Sequence, residues 1–240
     1  MSASRPHFPP AALTFLRALT RHNDREWFRE HKPRFERDVR APMVAVVEAL
    51  DRDFRTFAPE LEASPVRSIY RMYRDTRFSG DKTPLKTHIA AVFPVRGLDK
   101  NQGPGLYLEV SPRGVLVAGG LYAPLPADLL AVRTHLADNL NRFRSIVEAP
   151  AFKRHSGGLQ GDVLSRVPRG FSRDHPAAAY LRYRQFLVWR EFPASLATTS
   201  AFYGAVVRVF KYAAPLVRFL AEPLFARRHP ASLPGSGVNR

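Results

Sequence analysis

The chain contains no cysteine among its 240 residues. That absence excludes disulfides, thiolate zinc sites, iron–sulfur clusters and cysteine nucleophiles. Acidic residues are scarce: 21 Asp and Glu stand against 37 Lys and Arg, a formal charge of +16. Lysine is scarce as well, since six of those cations are lysines and the other 31 are arginines. No uncharged apolar run reaches the roughly 20 residues that a membrane-spanning helix needs. The best candidate, 202–225, carries Arg208, Lys211, Arg218 and Glu222, so no transmembrane segment is expected. The amino-terminal apolar run is broken by Arg17 and followed at once by charge, which is not the pattern of a signal peptide. A cytoplasmic protein is expected.

Familiar catalytic signatures are missing too. There is no Gly-x-x-x-x-Gly-Lys-Ser/Thr phosphate loop, no Gly-x-Ser-x-Gly nucleophile turn and no His-Glu-x-x-His pair. The eight histidines make no His-x-His spacing, so no metal centre is expected. Val117-Ala-Gly-Gly-Leu-Tyr122 is not a dinucleotide fingerprint; its glycines suit a bulge or strand exit. No cofactor is expected.

What is present suffices for a core: 45% of residues are apolar and 11% aromatic. Residues 1–8 read as a flexible tail. Pro9-Pro10 can open a helix that carries Leu13, Leu16 and Leu19 at helical spacing. Asn23-Asp-Arg-Glu26 reads as a capping box with Asn23 as the cap. A second helical stretch runs to Phe57, with Val39, Met43, Val46, Val47, Leu50 and Phe54 on one face. The β-branched and aromatic run 66–73 predicts a strand, as do 89–95 and 185–192. Residues 105–110 and 114–118 flank Ser-Pro-Arg-Gly and predict a hairpin. Helical spacing returns over 127–147, then from Pro176 to Tyr183, and again over 201–222 behind Ser200. Residues 150–175 read as irregular and 226–240 as a disordered basic tail. Strands set between helical blocks, without regular alternation, predict one α+β domain over 9–225. Its central antiparallel sheet would be packed by N-terminal, middle and C-terminal helices.

Four stretches carry a resemblance: NDREWF at 23–28, RMYRDTRFSGDKTPLKTH at 71–88, GLYLEV with VLVAGGLYAP between 105 and 124, and VPRGFSRDHP at 167–176. Together, and in this order, they resemble a bacterial family of conserved hypothetical proteins, a domain of unknown function. Leu85 stands where that pattern would have an aromatic residue. The resemblance implies a single cytoplasmic domain and carries over no activity.

The strongest candidate site lies in 71–88, where Arg71, Arg74, Arg77, Lys82, Lys86 and His88 accompany only Asp75 and Asp81. Arginine's planar fork suits phosphate or carboxylate, and the turn at 78–81 would offer backbone N–H groups to the same anion. In the bland alternative, Asp75 and Asp81 pair with neighbouring cations to pin a long loop; six cations against two acids leave a surplus that this does not use. Three functions follow. One is the binding of a phosphate-bearing or other anionic small molecule in a cationic cleft. Another is metal-assisted phosphoester hydrolysis, with Asp75, Asp81 and Glu109 as the carboxylates. The last is sequence-independent nucleic-acid binding by the distributed arginines, although arginine richness can also reflect base composition. Trp27, Phe28 and Tyr122 would be core aromatics or site walls. Arg166, Arg169, Arg173, Arg182 and Arg184 would extend the cleft or form a solvated face. The sequence leaves the oligomeric state open.

Overall fold

The computed structural model describes residues 5–75, 77 and 80–228, so the expected tail at 229–240 lies outside the described residues. Four strands form one antiparallel sheet in sequence order: β1 (Ile89–Pro94), β2 (Gly105–Val110), β3 (Val115–Leu121) and β4 (Phe186–Phe192). Side chains alternate across a strand, and the apolar residues fall on one face. Leu106, Leu108 and Val110 of β2 and Val115 and Val117 of β3 are buried there. Phe93 of β1 and Phe186 and Val188 of β4 complete that face.

The long helix α10 (Ala201–Arg228) covers the apolar face, burying Phe202, Val206, Phe210, Ala213, Val217 and Leu220. Burial of each large apolar side chain contributes about 1.5–3 kcal/mol, so this contact is the main stabiliser of the sheet. It is also close. A Cβ on Gly119 would sit 2.7 Å from Leu106 Cδ2 and 2.9 Å from Ala213 Cβ. Gly120 has φ +127°, and a Cβ there would lie 2.0 Å from the Phe186 carbonyl oxygen. Only glycine lets β3 and β4 pair in this way.

The amino-terminal helices are α1 (Pro10–Arg21), α2 (Arg25–Glu30), α3 (Lys32–Phe35) and α4 (Ala41–Phe57). Between α3 and α4 the chain widens into a π turn, Glu36–Arg40, where the Ala41 N–H reaches Glu36 O. Pro42 follows; it has no N–H for the Asp38 carbonyl and its ring crowds that carbonyl, which accounts for the widening. After α4 comes the short turn α5 (Pro65–Ser68). The middle helices are α6 (Pro126–Asp138), α7 (Leu140–Val147), α8 (Pro150–Ser156) and α9 (Ala178–Leu181). A 3-10 turn, Ala194–Thr198, precedes α10. The α+β architecture is therefore the expected one.

Several local expectations are corrected. Residues 66–73 are not a strand. Pro65 presets a helical turn, closed by the Ser68 N–H on Ser64 O at 2.7 Å and by the Ser64 N–H on Ser68 Oγ at 3.0 Å. The chain then only touches the sheet, through single bridges at Ile69–Ala91 and Tyr73–Leu85. The expected helix 127–147 breaks at Asn139, which leaves helical dihedrals (φ −121°, ψ 35°) while its Nδ2 adds a second bond to the His135 carbonyl at 2.9 Å. The irregular stretch 150–175 contains α8, α10 extends to Arg228, and the amino-terminal tail ends before Phe8. Phe8 is fully buried edge-on against Phe202, and its N–H bonds to Ala197 O at 2.8 Å.

The cap of α2 is Asp24, which accepts from the Trp27 N–H at 2.7 Å. Asn23 does something else. Its Nδ2 donates to the Leu85 carbonyl and its Oδ1 accepts from the Leu85 N–H, both at 3.0 Å. One side chain thus takes the place of a strand for Leu85, which is buried. We predict that Asn23→Ala, which strands both backbone groups, lowers unfolding free energy in urea by about 1–3 kcal/mol.

Candidate functional site

The 71–88 segment is closed at its base by backbone bonds. The Lys86 N–H reaches Met72 O at 2.8 Å and the Arg74 N–H reaches Pro84 O at 2.9 Å. Beyond that base the acids hold the arginines. Asp81 accepts from Arg74, from the Thr83 N–H at 3.0 Å and from the Thr83 hydroxyl at 2.8 Å. Asp75 accepts from the Arg77 guanidinium at 2.8 and 3.1 Å. Hydrogen bonding to Arg77 holds the Asp75 carboxyl down to about 2, and Arg74 with Thr83 holds that of Asp81 well below the carboxylate range. Arg74 and Arg77 thus pin the loop. The expected anion-facing turn at 78–81 falls partly outside the described residues.

The remaining cations part company. Arg71 and Lys82 are exposed. His88 lies 3.6 Å from Glu109, and burial pushes its imidazole below the ordinary histidine value against the pull of that carboxylate. Lys86 turns over the Tyr70 ring, its Nζ 4.6 Å from the centroid. A residue the sequence did not suggest, Lys100, lies 4.5 Å from the same centroid and also donates to the Arg67 carbonyl. Tyr70 is oriented by its hydroxyl, which donates to Asn101 Oδ1 at 3.1 Å.

Both lysines open into a cavity of about 940 Å³ on the sheet face that α10 leaves uncovered. Its floor follows from the register. Val92, Tyr107, Ala118 and Trp189 form one row across the four strands, so the small Ala118 lies between two aromatic rings. The row beside it pairs Gly105 with Gly120, which keeps the floor low there, and ends in Leu187 on β4. Glu109, on the same face, accepts from the Tyr107 hydroxyl at 2.8 Å. Burial first, and then the Glu109 charge, pushes the Tyr107 phenol well above its ordinary value, so it stays a proton donor. Tyr122, 68% exposed, stands at the rim.

Charge in the groove is divided by position. Lys86 and Lys100 lie where the Tyr70 segment bonds to β1; Asp162 and Glu191 lie along β4. Lys86 makes no ion pair or hydrogen bond through its ammonium among the described residues; its contact is the Tyr70 face. Desolvation, then Arg71 and Lys100, lowers its pKa.

Phe28 is core, packed on Phe35 and edge-on to Tyr73, and Trp27 stacks on His31. Arg182 is spent on the Leu164 carbonyl at 2.6 Å and does not extend the cleft. No three His, Asp or Glu among the described residues could hold a metal ion together. Asp75, Asp81 and Glu109 therefore do not form the carboxylate cluster that metal-assisted hydrolysis needs; two pin the loop and the third bonds Tyr107. Tyr107, Trp189 and Lys100 were missed. The signal available was the non-apolar half of each strand: 105, 107 and 109 on β2, and 187, 189 and 191 on β4.

A model of the conserved hypothetical protein family DUF2461 matches residues 11–219. The chain belongs to that family. The matched span runs from α1 into α10 and includes the whole sheet and the 71–88 loop. No curated protein and no solved structure matches the chain. No helix among the described residues is long and apolar enough to cross a membrane.

The half-buried charge of Lys86 has a consequence for stability. Its folded pKa lies below the 10.5 of a free lysine, so between those values the unfolded chain holds more protons and stability rises with pH. Lys86→Met keeps the stem and removes the charge. We predict that the variant is more stable than wild type in urea at pH 7, with the difference shrinking as pH approaches 10.5.

Proposed function

We propose that this DUF2461 protein binds a small anionic molecule with a planar body in the groove on the open sheet face. The observation that carries this reading is Lys86: a half-buried ammonium, opening into a cavity, with no carboxylate paired to it among the described residues. A charge held in that state costs stability, and an anionic ligand offsets the cost. Lys100, on the same Tyr70 ring, gives the anion a second contact.

The rest of the groove defines the ligand further. Tyr107 and Trp189 flank Ala118 and offer a slot for a flat ring. Asp162 and Glu191 disfavour negative charge at the β4 end and accept hydrogen bonds there. The fitting molecule is dipolar: carboxylate or phosphate at one end, a ring in the middle, amine or hydroxyl donors at the other end. Aromatic amino acids and nucleoside monophosphates have this layout. Relative to the cleft expected from 71–88, Lys86 stays in the site, Lys100 joins it, and Arg74 and Arg77 become its scaffold.

The test is thermal unfolding of the full chain against a panel of aromatic amino acids, nucleoside monophosphates and donor-free aromatic carboxylates. A ligand at a hundred times its Kd adds about 2.7 kcal/mol. For a chain of this length that is a rise in Tm of roughly 5–11 °C. We expect the rise for a dipolar member of the panel, a smaller one for the donor-free acids, and its loss in Lys86→Met/Lys100→Met and in Trp189→Ala. Absence of any rise across the panel refutes the reading.

A further inference from the structure

A second cavity, of about 400 Å³, lies on the other side of β4. Alternation places Leu187, Trp189 and Glu191 on the groove side, while Arg190 and Phe192 belong to the helix-covered side and line this second cavity. Four elements each contribute one arginine to it: the segment before α1 gives Arg5, α8 gives Arg154, β4 gives Arg190 and α10 gives Arg208. His155 stands beside them, stacked on Tyr212 of α10 at 4.4 Å between ring centroids.

No Asp or Glu lines this cavity, and none of the four arginines makes an ion pair or side-chain hydrogen bond among the described residues. Some arginines elsewhere are paired, as Arg74 is with Asp81, Arg142 with Glu222, Arg218 with Glu60 and Arg227 with Asp128; what sets these four apart is that they border one hollow. All four are exposed, and no carboxylate among the described residues is paired with them, so solvent carries the compensation of these like charges. Their convergence is built, not incidental to one charged helix. Arg5 is carried there by a segment that the buried Phe8 fixes to Ala197 and Phe202. Gly204 of α10 leaves room for it: a Cβ at Gly204 would lie 3.2 Å from Arg5 Nη1. Val209 and Phe192 supply apolar wall, which strengthens charge interactions inside. The first turn of α10 also borders the cavity and adds its positive end.

We propose that this cavity is a binding site, separate from the groove, for the diphosphate or a similarly multivalent oxyanion of a small molecule. Guanidinium forks match phosphoryl oxygens two at a time, and a diphosphate carries enough charge to neutralise several of them at once. The volume accommodates a diphosphate with part of what it is attached to.

Isothermal titration of the full chain with inorganic pyrophosphate at low ionic strength tests the proposal, with sodium chloride at matched ionic strength as the control. We expect saturable binding at one site, and a Kd at least about tenfold weaker in Arg154→Gln/Arg208→Gln, since two charge-assisted contacts are lost. Gly204→Leu fills the cavity beside Arg5 while keeping all four arginines, and should weaken binding comparably with an unchanged or higher Tm. Lys86→Met/Lys100→Met should bind pyrophosphate as wild type does, which separates this site from the groove. The proposal is overturned if wild type shows no saturable binding beyond the chloride control, or if the double arginine variant binds equally well. It is also overturned if a single-stranded oligonucleotide binds through these arginines while pyrophosphate does not.

Discussion

The contact between α10 and one face of the sheet determines what every other part of this molecule can be used for. It takes the apolar half of β2, β3 and β4 and leaves their other half uncovered, while β1 is buried on both sides. The uncovered half is not a simple solvated surface. It carries Tyr107, Trp189 and Leu116, and the Tyr70 segment and the 161–162 turn stand along it. A sheet face walled in this way becomes concave, and a concave face with rings, two ammoniums and a few carboxylates is where a small molecule can be held. The same contact requires Gly119, because a side chain there would meet both Leu106 and Ala213.

The 71–88 stretch shows how charge is divided between architecture and surface chemistry. Each of its acids is bonded to an arginine of the same stretch. That leaves the loop anchored at three levels: the backbone bonds at its base, the Asn23 clamp on Leu85, and the Asp81–Arg74–Thr83 cluster nearer its tip. Exposed ion pairs contribute little energy individually, so the anchoring rests mainly on the backbone bonds and on Asn23. With the loop fixed, Lys86 is directed over Tyr70 instead of into water.

Much of this was legible in the sequence, and the reasons differ by element. The β2–β3 hairpin was readable because turn chemistry and alternation agree over a short span: Ser-Pro-Arg-Gly sits between two apolar-alternating runs, and the Ser111 N–H closes on Gly114 O at 2.9 Å. Residues 66–73 misled because β-branched and aromatic composition reports burial against neighbours as much as strand pairing, while Ser64-Pro65 set a helical turn first. The acid-pinned loop was visible because its partners lie within ten residues of each other. The groove was not, because Tyr107 and Trp189 become neighbours only through two registers spanning more than 80 positions of sequence. The arginine cavity was hidden for the same reason: its members come from four elements, and each alone resembles any other surface arginine.

Register is therefore what the chemistry of both faces of β4 hangs on, and Gly120 acts as its index mark. Slide β4 by one residue in one direction and Leu121 meets the strand carbonyl that Gly120 now meets, where a side chain has no space. Slide it the other way and Gly119 fits, but Trp189 is turned into the helix opposite Val117 and Arg190 out over Leu116. Backbone pairing alone would tolerate that second arrangement nearly as well. What forbids it is the burial of Phe186 and Val188, so the same two apolar residues that anchor the strand also keep a tryptophan and an arginine on their proper sides.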